Sequence, residues 1–151
     1  MDNTQAKILF RFYSNTLEEW TVETMWAEII DSEKGYYKLD NIPFYASVAS
    51  DDIVLAEYDE SEQMLTYRKT VEYSGNSTVQ VGIMNESVIT NDIRDMFKDL
   101  GCQSEKVHEA YFVIEIPADK DYLPIKQKLS ELESKDIIGY AETCLSDKHT
   151  Y

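Results

Sequence analysis

The sequence predicts an α+β protein in two parts. Residues 1–76 read as a small, strongly bent β-sheet or barrel, and residues 77–151 as a two-helix β-α-β-β-α-β sandwich. Three observations carry that prediction. Short period-2 segments divided by turn residues fill the first half. Two later stretches change to the i, i+3, i+4, i+7 spacing of amphipathic helices. Between them the polar turn Ser74-Gly75-Asn76-Ser77 marks the boundary, with no Gly/Ser-rich linker.

In chain order, Lys7–Tyr13 alternates Ile8, Phe10 and Phe12 with Lys7, Leu9 and Arg11, the pattern of a half-buried strand. Glu19–Glu28 carries Trp20, Val22 and Trp26 on one face and charges on the opposite one. Gly35–Leu39, Asp52–Tyr58 and Leu65–Tyr73 complete the first set. Turn clusters separate them at Ser32-Glu33-Lys34-Gly35, Asp40-Asn41-Ile42-Pro43 and Ser50-Asp51-Asp52. In the second half Ser77–Met84 is a strand. Asn91–Leu100 follows as a helix with Ile93, Met96, Phe97 and Leu100 on one face, Thr90 or Asn91 as cap and Gly101 as stop. Ser104–Glu109 and Ala110–Ile116 are strands, Asp121–Ser134 is a helix with Pro124 in its first turn, and Ile138–Leu145 closes as a strand. That order is the split-βαβ order of a ferredoxin-like fold, with both helices expected on one face of a four-stranded antiparallel sheet.

The 151 residues hold 29 acids against 14 bases, a net charge of -15. Such a chain repels phosphate backbones and anionic lipid headgroups, so nucleic acid and membrane are disfavoured as partners and a basic protein is favoured. The longest apolar runs, Ile8–Tyr13 and Ala110–Ile116, are far short of the ~20 residues that cross a bilayer. The start Met1-Asp2-Asn3 lacks the basic opening of a signal peptide. Two cysteines make no disulfide framework, and the chain reads as cytoplasmic with reduced thiols.

No constellation of catalytic groups stands out. Cys102, His108, Cys144 and His149 lack the tight knuckles of a zinc site. The expected sheet also puts the strands of Cys102/His108 and Cys144 at opposite edges, with His149 in a loose tail. Cys102 and His108 as a nucleophilic pair would stand roughly 20 Å apart on an extended strand. No calcium loop and no phosphate-cradling glycine loop is present. No cofactor is therefore expected. Two candidate surfaces remain. One is the acidic segment from Leu39 to Tyr67, free of Lys and Arg, where Asp51, Asp52, Glu57, Asp59, Glu60 and Glu62 with Tyr58 suit a basic protein partner. The other, an alternative reading, is a small-molecule or enzymatic site at the seam between the halves, made by Trp26, Asp40, Asn41, Ser74, Asn76, Ser77 and Thr78.

Several segments occur together in a familiar order. They are Glu23-Thr24-Met25-Trp26-Ala27-Glu28, Tyr37-Lys38-Leu39-Asp40-Asn41-Ile42-Pro43-Phe44-Tyr45-Ala46, Asp52-Ile53-Val54-Leu55-Ala56-Glu57 and Ser74-Gly75-Asn76-Ser77-Thr78-Val79-Gln80-Val81. With Ile116-Pro117-Ala118 and Ala141-Glu142-Thr143-Cys144-Leu145-Ser146-Asp147, the chain resembles an uncharacterised bacterial family, domain of unknown function 4265. The resemblance implies no activity and no cofactor. The functional expectation from the residues is thus a non-enzymatic binding protein, in the manner of an immunity protein that neutralises a basic nuclease-type toxin.

Overall fold

The computed structural model describes residues 4–150. The protein mixes α and β, with strand predominating: two sheets, antiparallel but for the pairing of β1 with β5, and two helices. It divides into two compact units, residues 1–74 and 75–151.

The first unit has five strands, β1 (Gln5–Ser14), β2 (Glu19–Asp31), β3 (Tyr36–Leu39), β4 (Ile53–Asp59) and β5 (Met64–Glu72). They pair in chain order, and a parallel contact of Leu9 with Thr66 closes β1 onto β5 as a barrel. Ile8, Phe10, Met25, Ala27, Tyr37, Leu39, Val54 and Ala56 fill the interior, joined by Ala46 and Val48 from the long β3–β4 connection. Phe10 stacks on Tyr67 at 4.7 Å between ring centroids.

One local grammar ends each hairpin. A side-chain oxygen at the close of the first strand accepts from the turn's N–H groups, and a left-handed residue opens the second strand. Ser14 serves Leu17 before Glu18 (φ 56), Asp31 serves Glu33 and Lys34 before Gly35 (φ 77), and Asp59 serves Ser61 and Glu62 before Gln63 (φ 57). At Gly35 a Cβ would lie 2.8 Å from the Ala56 carbonyl oxygen, so no other residue fits there unchanged.

The second unit contains β6 (Ser77–Ile83), α1 (Thr90–Asp99), β7 (Gln103–His108), β8 (Tyr111–Ile116), α2 (Leu123–Ser134) and β9 (Ile138–Cys144), then a 3-10 turn at Asp147–His149. The sheet order is β7-β8-β6-β9, with every pairing antiparallel. Ile93 and Phe97 of α1 and Ile125, Leu129 and Leu132 of α2 pack with Val79, Val81, Phe112, Ile114 and Ile116 of the sheet.

On β2 the row of Trp20, Val22 and Trp26 faces solvent, and Met25 and Ala27 face inward. Two expectations need correction. Helix α1 has no side-chain cap: Ile89 holds that position, and the Thr90 hydroxyl donates to the Glu109 carbonyl. His149 is no loose tail; it is 1% exposed. Among the described residues no helix is long and apolar enough to cross a membrane.

Candidate functional site

The antiparallel register of β1 and β2 builds the most unusual surface of the molecule. Tyr13 lies opposite Trp20, Arg11 opposite Val22, Leu9 opposite Thr24 and Lys7 opposite Trp26. These pairs project outward from the barrel, because the alternate pairs hold the core: Ile8 opposite Met25 and Ala6 opposite Ala27. Glu23 shares the inward side of β2, and its carboxylate accepts from the backbone N–H groups of Phe44, Tyr45 and Ala46 at 2.5–3.0 Å. A strand read by polarity alone would turn Glu23 to water and both tryptophans inward. The loop's three donors and the fit of Met25 against Ile8 decide otherwise.

Leu9 is covered at 6% exposure, and Lys7, Arg11 and Thr24 make part of this side polar, but several large apolar side chains of β2 stand in water. Trp20 is 70% exposed, Val22 56%, Trp26 49% and Ile30 47%. Tyr13 meets Trp20 edge-on at 6.1 Å between ring centroids at the end of the hairpin. The Lys7 ammonium lies 5.9 Å from the centroid of the Trp26 ring, within cation–π range. Thr24 and Glu28 interrupt the row, yet four large apolar side chains exposed along one strand face exceed the scattered single ones that a soluble surface carries.

The acidic turn borders this face. Arg11, outward beside Val22, pairs with Glu62 at 2.5 Å, linking the β4–β5 turn to the β1–β2 row. The acids of the segment fall into three groups. Asp51, Glu57 and Glu60 are exposed with Tyr58, although Glu57 lies 3.4 Å from Arg68. Asp59 and Glu62 are engaged, Asp59 by Ser61, the Glu62 N–H and Arg68, which together hold its carboxyl down to about 2. Asp52 is 1% exposed, accepting from the N–H groups of Ala49 and Ser74. Burial raises its pKa in spite of those bonds. Asp52 therefore cannot meet a partner, and the expectation that it would is corrected. The sequence gap in bases hid the relief that Arg68 and Arg11 bring from neighbouring strands.

The residues assigned to a ligand seam have local duties. The Trp26 N–H donates to the Asn41 side-chain oxygen, and the Asp40 N–H donates to the Trp26 carbonyl, extending the ladder past the end of β3. Ser74 gives its N–H to Asp52. In the second unit the Asn76 side chain accepts from the Ala118 N–H and donates to Glu115. Ser77 and Thr78 are buried at 0% and 1%, so as ligand-binding hydroxyls they are corrected. The Ser77 hydroxyl lies 2.6 Å from His149 Nδ1 and accepts from the Ser146 N–H. His149 Nε2 lies 3.1 Å from the carbonyl oxygens of both Pro117 and Lys120. Two acceptors at Nε2 require the proton there, leaving Nδ1 to accept from Ser77. This serine–histidine contact is a buried clip on the C-terminal turn, with no room for a substrate at either group.

Cys102 is 5% exposed, and burial with the nearby Glu115 pushes its thiol up to about 12, the reverse of an activated nucleophile. It lines an open groove of ≈ 600 Å³ with Asn91, Arg94, Asp95, Lys98, Gln103 and Ser104. The Arg94 guanidinium there is taken up by Ser104 and Asn91. Among the described residues no group of three His, Cys, Asp or Glu side chains is placed to hold a metal.

A family model described as Domain of unknown function (DUF4265) matches residues 23–140. A crystal structure of a hypothetical protein from Neisseria gonorrhoeae superposes with a TM-score of 0.82 at 22% identity, covering 97% of this chain and 99% of that one. That is a likeness of fold. No curated protein matches the sequence. With more than half its length inside the family model, the chain belongs to the DUF4265 family.

Proposed function

We propose that this chain is a cytoplasmic, non-enzymatic binding protein whose partner is a basic protein, in the manner of an immunity protein held against a nuclease-type toxin. The observation that carries the reading is the set of exposed apolar side chains on β2 beside an acidic turn, on a unit with fifteen acids against six bases. Apolar and aromatic side chains of that kind supply binding energy at interfaces, while surrounding acids steer a basic partner and reject acidic ones. A nuclease is basic where it grips phosphate, so an acidic protein gains both encounter rate and specificity against it. The strand order β7-β8-β6-β9 supports reading the second unit as a ferredoxin-like sandwich that follows a small N-terminal barrel in the chain.

The test is capture from the native lysate at low and at ~0.5 M salt, where the Debye length falls to a few ångströms and loose electrostatic passengers are lost. The protein retained at both salts is then purified and its own activity measured with and without this chain. A basic protein inhibited stoichiometrically is the expected result. An acidic or neutral partner, or a basic one whose activity is untouched, overturns the inhibitor reading.

A further inference from the structure

The two tryptophans of β2 share one face but differ in their surroundings. Trp26 has its own cation, Lys7. Trp20 has none: among the described residues no Lys or Arg stands over its ring, and the chain from Phe12 to Glu33 contains no base at all. Arg11, two residues from Tyr13, is drawn away to Glu62. Around Trp20, residues 15–20 are all exposed, and they include Leu17, Glu18 and Glu19. The end of the hairpin thus presents an exposed indole with Tyr13 edge-on to it, next in sequence to Glu18 and Glu19, whose carboxylates form no ion pair among the described residues.

We propose that this hairpin end is the anchoring surface for the basic partner, with the Trp20 indole receiving an arginine or lysine side chain and Glu18 and Glu19 pairing with the same cationic patch. The inference rests on the basic-partner reading above and adds to it a place and a mode of recognition. Charge complementarity selects the occupant. A second copy of this chain would bring its own net charge of -15 and the same two glutamates against this surface. A cationic side chain meets an aromatic face that attracts it and carboxylates that pair with it. The Lys7–Trp26 contact shows the same recognition already made within the molecule.

The test is a titration of the isotopically labelled full chain with a short arginine-rich peptide at low salt, followed by amide and indole resonances. The Trp20 indole and the amides of Tyr13, Leu17 and Glu18 should shift saturably. Trp20→Ala should weaken binding about tenfold. Glu18→Gln with Glu19→Gln should weaken it and flatten its salt dependence, while Trp26→Ala stays within about twofold. If the peptide binds, but its shifts map to Asp51, Glu57 and Glu60 and Trp20→Ala binds as the wild type does, the hairpin assignment falls and the basic-partner reading stands. If no basic peptide binds at low salt, the basic-partner reading falls and the hairpin assignment with it. A dimer in sedimentation that Trp20→Ala dissolves would give the surface to a second copy and overturn the proposal.

Discussion

The β1–β2 hairpin and the start of β6 make opposite impressions in the sequence, and folding reverses both. The hairpin is rich in Tyr, Leu, Trp and Val, yet its end stands in water. The segment Ser74–Thr78 is a run of hydroxyls and an amide, yet Ser77 and Thr78 are among the most enclosed residues of the second unit. In each case the neighbouring strand decides. Met25 and Ala27 fit the barrel interior better than two indoles would, so the tryptophans take the outer face. Ser77 sits where His149 and Ser146 need a hydroxyl, so a polar side chain is buried with its bonds made. An apolar residue outside and a polar residue inside are the informative exceptions. Here the Trp20 indole has only an edge contact with Tyr13 inside the chain, whereas the Ser77 hydroxyl has two hydrogen-bond partners.

The sharpest way to break that contrast is Ser77→Ala. It removes the partner of His149 Nδ1 and of the Ser146 N–H together. With an unmet buried group costing about 1–3 kcal/mol and the part-buried Ser146 N–H about 1 kcal/mol, the loss of stability should be about 2–4 kcal/mol. Denaturant unfolding measures it, and amide exchange should show the turn at residues 147–149 opening. Unchanged stability would mean that the hydroxyl is not structural and return Ser77 to the ligand-site candidates. Glu23→Ala makes the matching test in the barrel. Three N–H groups of the β3–β4 connection lose their acceptor, and a cost of about 1–3 kcal/mol is expected, below the fully buried clip because Glu23 is only partly enclosed. A neutral result would show that the connection holds without Glu23 and that β2's facing is fixed by Met25 and Ala27 alone.

Much of the fold was legible because strand and helix periods are strong and the turns carry their own chemistry. The turn at residues 32–35, the Gly101 stop and the Pro124 start stand where the sequence puts them, whereas the closing roles of Ser14, Asp31 and Asp59 emerge only from the hydrogen bonds. The facing of β2 was less legible. Trp20, Val22 and Trp26 form a cleaner apolar row than Met25 and Ala27 do, and only the register with β1 reveals which row the core takes. The acidic segment misled for a related reason. Counting charges along the chain cannot see Arg68 on the next strand or Arg11 on the first, both of which reach it. His149 was illegible for the opposite reason, because its partners Ser77, Pro117 and Lys120 are distant in sequence. The one available signal for the hairpin surface was the absence of any base between Arg11 and Lys34 around an aromatic-rich turn.

The two buried or engaged aspartates sharpen the electrostatic side of the comparison, because their pH effects have opposite signs. The folded pKa of Asp59 is about 2, below the ~3.9 of an unfolded aspartate, so its contribution is present above ~3.9 and is lost as pH falls toward about 2. Asp52 is raised, so ionising it works against the fold as pH climbs through and beyond ~3.9. Asp59→Asn should therefore flatten the acid-side loss of stability. Thiol labelling separates the cysteines in the same spirit. Cys144, partly exposed, should react with a maleimide in the native protein, while Cys102 waits for unfolding. Rapid native labelling of Cys102 would contradict its enclosure beneath α1 and β7.

The smallest expected effect bears most directly on function. Trp20 is 70% exposed, so Trp20→Ala removes little that the fold has buried, and the stability change should stay within about 0.5 kcal/mol. The edge contact with Tyr13 is the part of that figure the substitution touches. Unfolding of the variant alongside Glu23→Ala makes the measurement. Near-neutral stability together with lost partner binding would mean that the indole serves a contact outside the chain, since a side chain used internally cannot be removed without weakening the fold. A loss of about 2 kcal/mol or more would mean instead that the ring packs on the barrel more than its exposure suggests. Trp26→Ala is the internal control, because it also releases Lys7. Its stability cost should exceed that of Trp20→Ala if an intramolecular cation is what distinguishes the two rings.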